Sequence, residues 1–122
     1  MIQPRSIVVI ADNSGAQIGR IFKVLGGSKK RYARIGDIVV LSVQKAAPRK
    51  TVKKKDVLRG VVVRQKAAFR REDGSYVRFD ENAVVIIDKG TNEPIAGRIF
   101  GPIPRELSEN FQTIISRAPE VV

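Results

Sequence analysis

The residues able to do chemistry in the first two thirds of this chain are chiefly cations. Between positions 20 and 71 stand 17 Lys and Arg against only Asp37 and Asp56. Positions 72–122 reverse the balance, with 5 Lys and Arg against 9 Asp and Glu. A chain made basic only for solubility has no reason to polarise in this way, whereas one that lays a surface on phosphates does. Two stretches concentrate the charge. The first follows Lys23 and reads Gly26-Gly27-Ser28-Lys29-Lys30-Arg31-Tyr32-Ala33-Arg34. Paired glycines let the backbone approach a phosphate closely, and the N–H groups can face it. Tyr32 fits either a stacking platform or a packed rim aromatic. The second comprises Arg49, Lys50, Lys53, Lys54 and Lys55, continued by Arg59, Arg64, Lys66, Arg70, Arg71 and Arg78. Strand alternation puts Arg64 and Lys66 on one face, and guanidinium forks match phosphate geometry.

Other chemistries are poorly served. The 122 residues include no His and no Cys. That removes the usual general base, the Ser-His-Asp and Cys-His arrangements, thiolate metal sites and disulfides. No G-x-x-x-x-G-K-[ST] spacing occurs, so a triphosphate-binding loop is not expected. Glu72, Asp73, Asp80, Glu81 and Asp88 could in principle hold a metal for phosphodiester cleavage. Yet Glu72-Asp73 and Asp80-Glu81 both fall in connections where such residues have plain structural uses. The expectation is a non-catalytic protein without metal or cofactor. A free single-strand RNA binder is the alternative, although such proteins present several aromatics on one face and this chain has only 6%.

The scaffold that must position these cations reads as strands. A net charge of +11 accompanies 43% hydrophobic residues, which suits one folded domain rather than a basic tail. No apolar run approaches the roughly 18 residues of a membrane span, and the start lacks a signal-peptide layout, so an intracellular protein with no membrane partner is expected. Apolar runs occur at 6–11, 20–25, 37–43, 57–64, 76–79 and 83–87, separated by turn residues. Gly60 inside the fourth run suggests a bulge, and Glu72-Asp73-Gly74-Ser75 a hairpin turn. Five or six short strands at this spacing predict a mainly β protein: a small closed antiparallel barrel over about 1–100 with a β-ribbon. A short C-terminal helical segment over about 101–122 completes a single domain. Pro104 stands near its start, Phe111, Ile114 and Ile115 share a helical face, and Pro119 ends it.

These residues also carry a family likeness. Ile2-Gln3-Pro4, Ala11-Asp12-Asn13-Ser14-Gly15-Ala16, Lys23-Val24-Leu25-Gly26-Gly27-Ser28, Arg31-Tyr32-Ala33 and Ile35-Gly36-Asp37 resemble the bacterial-type fourteenth protein of the large ribosomal subunit. So do Ile99-Phe100-Gly101-Pro102, Arg105-Glu106-Leu107, Ile114-Ile115-Ser116 and the tail Ala118-Pro119-Glu120-Val121. A central signature runs from Gly60-Val61-Val62-Val63-Arg64 through Asp73-Gly74-Ser75 to Phe79, Asn82 and Val85-Ile86. The resemblance implies that the barrel is a small five-stranded antiparallel β-barrel, that large-subunit ribosomal RNA is the partner, and that an intersubunit bridge reaches small-subunit RNA, in which Arg98 takes part. It implies the third and nineteenth large-subunit proteins as neighbours, with Ile99, Phe100 and Phe111 as protein contacts, and a ribosome in the cytoplasm or an organelle. A ribosome-silencing factor is a further implied partner. Gly97 and Thr113 depart from the family's Thr and Lys there, and Arg49-Lys50-Thr51 stands where glycine is common, which implies a different RNA contact at that loop.

Overall fold

The computed structural model describes residues 2–26, 32–48 and 52–122. In chain order the strands are β1 (Ile7–Ile10), β2 (Ala16–Val24), β3 (Ile38–Ala46), β4 (Val57–Arg64), β5 (Phe69–Arg70), β6 (Tyr76–Val77), β7 (Ala83–Ile87), β8 (Pro102–Ile103) and β9 (Glu120–Val121). A 3-10 helix, Arg105–Glu109, and α1, Gln112–Arg117, lie between β8 and β9. Strands β1-β2-β3-β4-β7 close into a barrel. The expected wholly antiparallel barrel needs one correction, because β1 meets β7 in parallel, Val9 opposite Ala83 and Ile10 opposite Val84. Five is odd. Strands that alternate in direction around a closed ring of five must leave one like-directed pair.

That parallel seam has a short ladder, and Asp12 extends it. Its carboxylate is buried, and Oδ2 accepts the Ile86 N–H at 3.0 Å. Oδ1 accepts both the N–H and the hydroxyl of Ser14, at 3.1 and 2.6 Å. Desolvation pushes the Asp12 pKa up, opposed by those hydrogen bonds. Because the native state holds this proton more tightly, Asp12's ionisation costs stability, increasingly as pH rises from the ordinary carboxylate value through the raised native one. Replacing Asp12 by Asn turns an amide N–H₂ towards a donor and leaves a seam N–H or Ser14 unpaired. The expected loss is about 1–3 kcal/mol in urea unfolding, together with a smaller fall in stability on raising the pH than the native chain shows.

The barrel interior is filled by Val8, Ile10, Ile21, Leu41, Val43, Val62, Val84 and Ile86, among others. Gly60 sits in regular register, opposite Val39 and Ile86, so it forms no bulge. Its reason is space: a Cβ there would lie 3.2 Å from Leu41 Cδ2 and from the Val85 carbonyl. The register shift on β4 falls instead between Val62 and Arg64.

The opposite faces of β4 and β7 are also buried. Val61, Val63, Val85 and Ile87 pack against Ile99, Ile103, Leu107, Phe111 and Ile114 from the C-terminal segment. Burial on both faces explains why these two strands read as unbroken β-branched runs rather than alternating ones. Segment 98–100 runs beside the end of β1, with Phe100 N–H on the Ala11 carbonyl at 2.8 Å. The chain then turns through the two short helices and returns as β9 beside β8. Helix α1 ends at Ala118, which is extended at ψ 141 ahead of Pro119, as proline demands of its predecessor.

Candidate nucleic-acid interface

Topology decides where the cations go. Successive hairpins of an up-and-down barrel open at opposite ends, so the described residues of the two basic stretches, Tyr32 and Arg34 on one side and Lys53, Lys54 and Lys55 on the other, do not lie together. The β2–β3 and β4–β7 connections share one end, tied by the Ile35 N–H on Gln65 Oε1 at 3.2 Å. The β1–β2 and β3–β4 connections share the other, tied by the Ala47 N–H on the Gly15 carbonyl at 2.7 Å. Nine-residue β3 separates them, a span of roughly 25 Å.

At the first end stand Tyr32, Arg34, Lys66, Arg70 and Arg78, all exposed. The Arg34 N–H donates to Asp37 Oδ2, and the Lys66 N–H to Asn82 Oδ1, both at 2.8 Å, so the backbone below these side chains is pinned. Strands β5 and β6 form the expected ribbon, Phe69 opposite Val77 and Arg70 opposite Tyr76. Its turn is held by Asp73, whose Oδ1 accepts the Ser75 N–H and hydroxyl at 2.9 and 2.6 Å. Those hydrogen bonds lower the Asp73 pKa. At the second end stand Lys53, Lys54, Lys55 and Arg98, also exposed. The Lys53 N–H donates to Asp56 Oδ2 at 2.9 Å, and the Arg98 N–H to Asn13 Oδ1 at 3.2 Å. Lys29, Lys30, Arg31, Arg49 and Lys50 lie outside the described residues.

The two ends are joined by the outer wall of β2, β3 and β4. Lys23 is exposed on β2 opposite Val40, and Val40 stands opposite Arg59 on β4. Arg20 and Lys45 face outwards on the same wall. They were not among the expected contacts, although strand alternation around buried Gly19 and Ile21 marks Arg20 as outward-facing. Exposed Phe22 lies between Arg20 and Lys23, where the β2–β3 register shifts. Around the five-strand ring, β2 lies opposite the β4–β7 pair, and therefore opposite the acidic C-terminal cover. Among the described residues, Arg20, Lys23, Lys45, Arg59, Lys66, Arg70, Arg78 and Lys53, Lys54 and Lys55 have no ion-paired carboxylate.

Four residues expected as contacts are buried or half-buried in the structure. Arg64 is only 6% exposed. Its Nη1 donates to the carbonyls of Phe100 and Pro102 at 2.8 and 3.2 Å, and Nη2 to Glu81 at 3.0 Å. It fastens the C-terminal cover to β4 and does not share a face with exposed Lys66. Arg71 is spent in a similar way, on Glu106 at 2.5 Å and on the Val122 carbonyl at 2.8 Å. Ile99 and Phe111 belong to the core beneath the cover, which leaves Phe100, 48% exposed, as the outward member of the three. The downstream carboxylates do not converge either. Among the described residues no three Asp or Glu are placed to hold a metal ion.

A closed five-stranded barrel with a cationic outer wall on one side and the opposite wall sealed defines a basic β-barrel protein. The family model described as Ribosomal protein L14p/L23e matches residues 1–122. The chain belongs to that family, and so is a structural protein of the large ribosomal subunit.

Proposed function

We propose that this chain binds large-subunit ribosomal RNA electrostatically, laying the β2–β3 wall and both charged ends against phosphates where RNA helices crowd together. The supporting observation is the set of exposed or half-exposed cations on the open wall and at the ends, of which Arg20, Lys23, Lys45, Arg59, Lys66, Arg70, Arg78, Lys53, Lys54 and Lys55 have no ion-paired carboxylate among the described residues. The closed barrel holds those charges at fixed spacing, so the RNA is read by shape more than by base sequence. The second end carries Arg98, and it reaches small-subunit RNA as an intersubunit bridge. Protein neighbours, including the third and nineteenth large-subunit proteins, meet exposed Phe100 and the exposed residues of β9. A silencing factor would dock near Gly97 and Thr113. The whole chain, 1–122, acts as one unit on a ribosome of the cytoplasm or of an organelle.

The purified protein should co-sediment with large-subunit RNA in moderate salt. With about five phosphates neutralised, log K should fall with log salt at a slope of roughly −4 to −5. Binding that is weak and indifferent to salt would reject the reading. Arg98→Ala should reduce association of the two subunits while leaving attachment to isolated large-subunit RNA nearly unchanged. An equal loss of both would remove the bridge from the proposal.

A further inference from the structure

The outer wall is not uniformly cationic. Between β3, β4 and the 88–95 loop lies an open groove of about 400 Å³. That is a volume in the range of small-ligand sites, roughly 300–1,000 Å³. Its floor is one cross-strand row: Val40 opposite Arg59, and Arg59 opposite Ile87. Its sides are Val57, 62% exposed, and Ile95, 43% exposed. Lys89 completes the rim, and Lys23 extends the row across β2. The loop forming the far side is built by its own backbone bonds. Asp88 N–H donates to the Glu93 carbonyl at 2.7 Å, and Asn92 N–H to the Asp88 carbonyl at 3.0 Å. The Asp88 carboxylate accepts the Gly90 N–H at 2.9 Å. Among the described residues it pairs with neither Arg59 nor Lys89.

We infer that this groove takes one unstacked nucleotide of an RNA, with the base against Val57 and Ile95 and its flanking phosphates on Arg59 and Lys89. The inference rests on the RNA-binding reading above and refines it. Apolar Val57 and Ile95 with the cations Arg59 and Lys89 beside them match the division of a nucleotide into a flat, weakly hydrated base face and charged phosphates. The row from Arg59 through Val40 to Lys23 also makes the groove continuous with the cationic wall, so a strand leaving it stays on cations. A purely apolar protein side chain would leave Arg59 and Lys89 unmatched. Besides Arg59 and Lys89, the polar side chain in the groove lining is Asp88, whose carboxylate already accepts the Gly90 N–H, so the site should accept purines and pyrimidines alike.

Methyl NMR of the full chain tests this, with a short oligouridylate, a short oligoadenylate and an RNA duplex as probes. Both single strands should shift the methyl signals of Val57 and Ile95 through the ring current of the base. The duplex should move only backbone signals along the wall. The double variant Val57→Ala, Ile95→Ala keeps the core, since both side chains are exposed. It should weaken single-strand binding by about tenfold while leaving duplex affinity within about twofold. Single-strand binding without methyl shifts, or equal weakening towards both RNAs, overturns the nucleotide site and leaves the electrostatic reading standing. Methyl shifts with an acidic apolar peptide but with neither oligonucleotide assign the groove to a protein and overturn it too. No binding of any RNA defeats the electrostatic reading, and the groove assignment falls with it.

Discussion

Replacing Arg64 by Met should loosen the C-terminal cover and leave the salt dependence of RNA binding unchanged. In a list of basic residues Arg64 looks like another phosphate contact. In the fold its guanidinium is buried and satisfies the carbonyls of Phe100 and Pro102. Removing it strips donors from two carbonyls, each worth about 1–3 kcal/mol if left unpaired. Glu81, whose side chain is 44% exposed, can return to water and limits the additional cost. A loss of about 2–4 kcal/mol in denaturant unfolding is expected. A second variant reaches the same contact from the other side. Gly101 has φ +80, and a Cβ there would lie 2.5 Å from Arg64 Nη1. Gly101→Ala should therefore destabilise too, while retaining every cation. Unchanged stability with a flatter salt slope for Arg64→Met would return that residue to the RNA interface.

The reverse pattern is expected for Lys53, Lys54 and Lys55. Replaced together by Ala, they should lower the magnitude of the salt slope by roughly 2 to 3, since each neutralised phosphate contributes about 0.7–0.9. At about 0.1 M salt this corresponds to an affinity loss on the order of 100-fold or more. All three are exposed, so unfolding free energy should change by less than about 0.5 kcal/mol. Lys55 sharpens the test. Its φ of 74 places an L side chain in the left-handed region, where glycine is at ease. Lys55→Gly should relieve that strain, with a gain of up to about 1 kcal/mol, partly offset by the greater freedom of an unfolded glycine. It should also reduce the slope by about 1. A cation kept at a strained position is the pattern expected where function outweighs local stability. Equal RNA affinity in Lys55→Gly would show that this ammonium meets no phosphate.

Much of the fold was legible because its signals are local. β4 occupies Val57–Arg64 as expected, and the ribbon turn falls on residues 72–75, because turn residues and β-branched runs act within a few positions. Gly60 misled because a glycine required by bulk elsewhere looks the same in sequence as one required by a bulge; only Leu41 and the Val85 carbonyl, brought in from other strands, tell them apart. Asp12 reads as a turn residue from its neighbours Asn13, Ser14 and Gly15. Its hydrogen bond to Ile86, 74 positions away, is a matter of barrel closure.

The sequence by itself determined the strand pattern, the excess of positive charge and its confinement to residues 20–71. These follow from residue type and short-range periodicity, which no distant contact can alter. Tertiary structure alone decided which cations remain available. It buried Arg64 under the cover, turned Arg71 onto Glu106, enclosed Ile99 and Phe111, and placed Tyr32 and Arg34 at the opposite end of the barrel from Lys53, Lys54 and Lys55. Those outcomes depend on which strands become neighbours, and a ring of five strands settles that through closure rather than through any local preference.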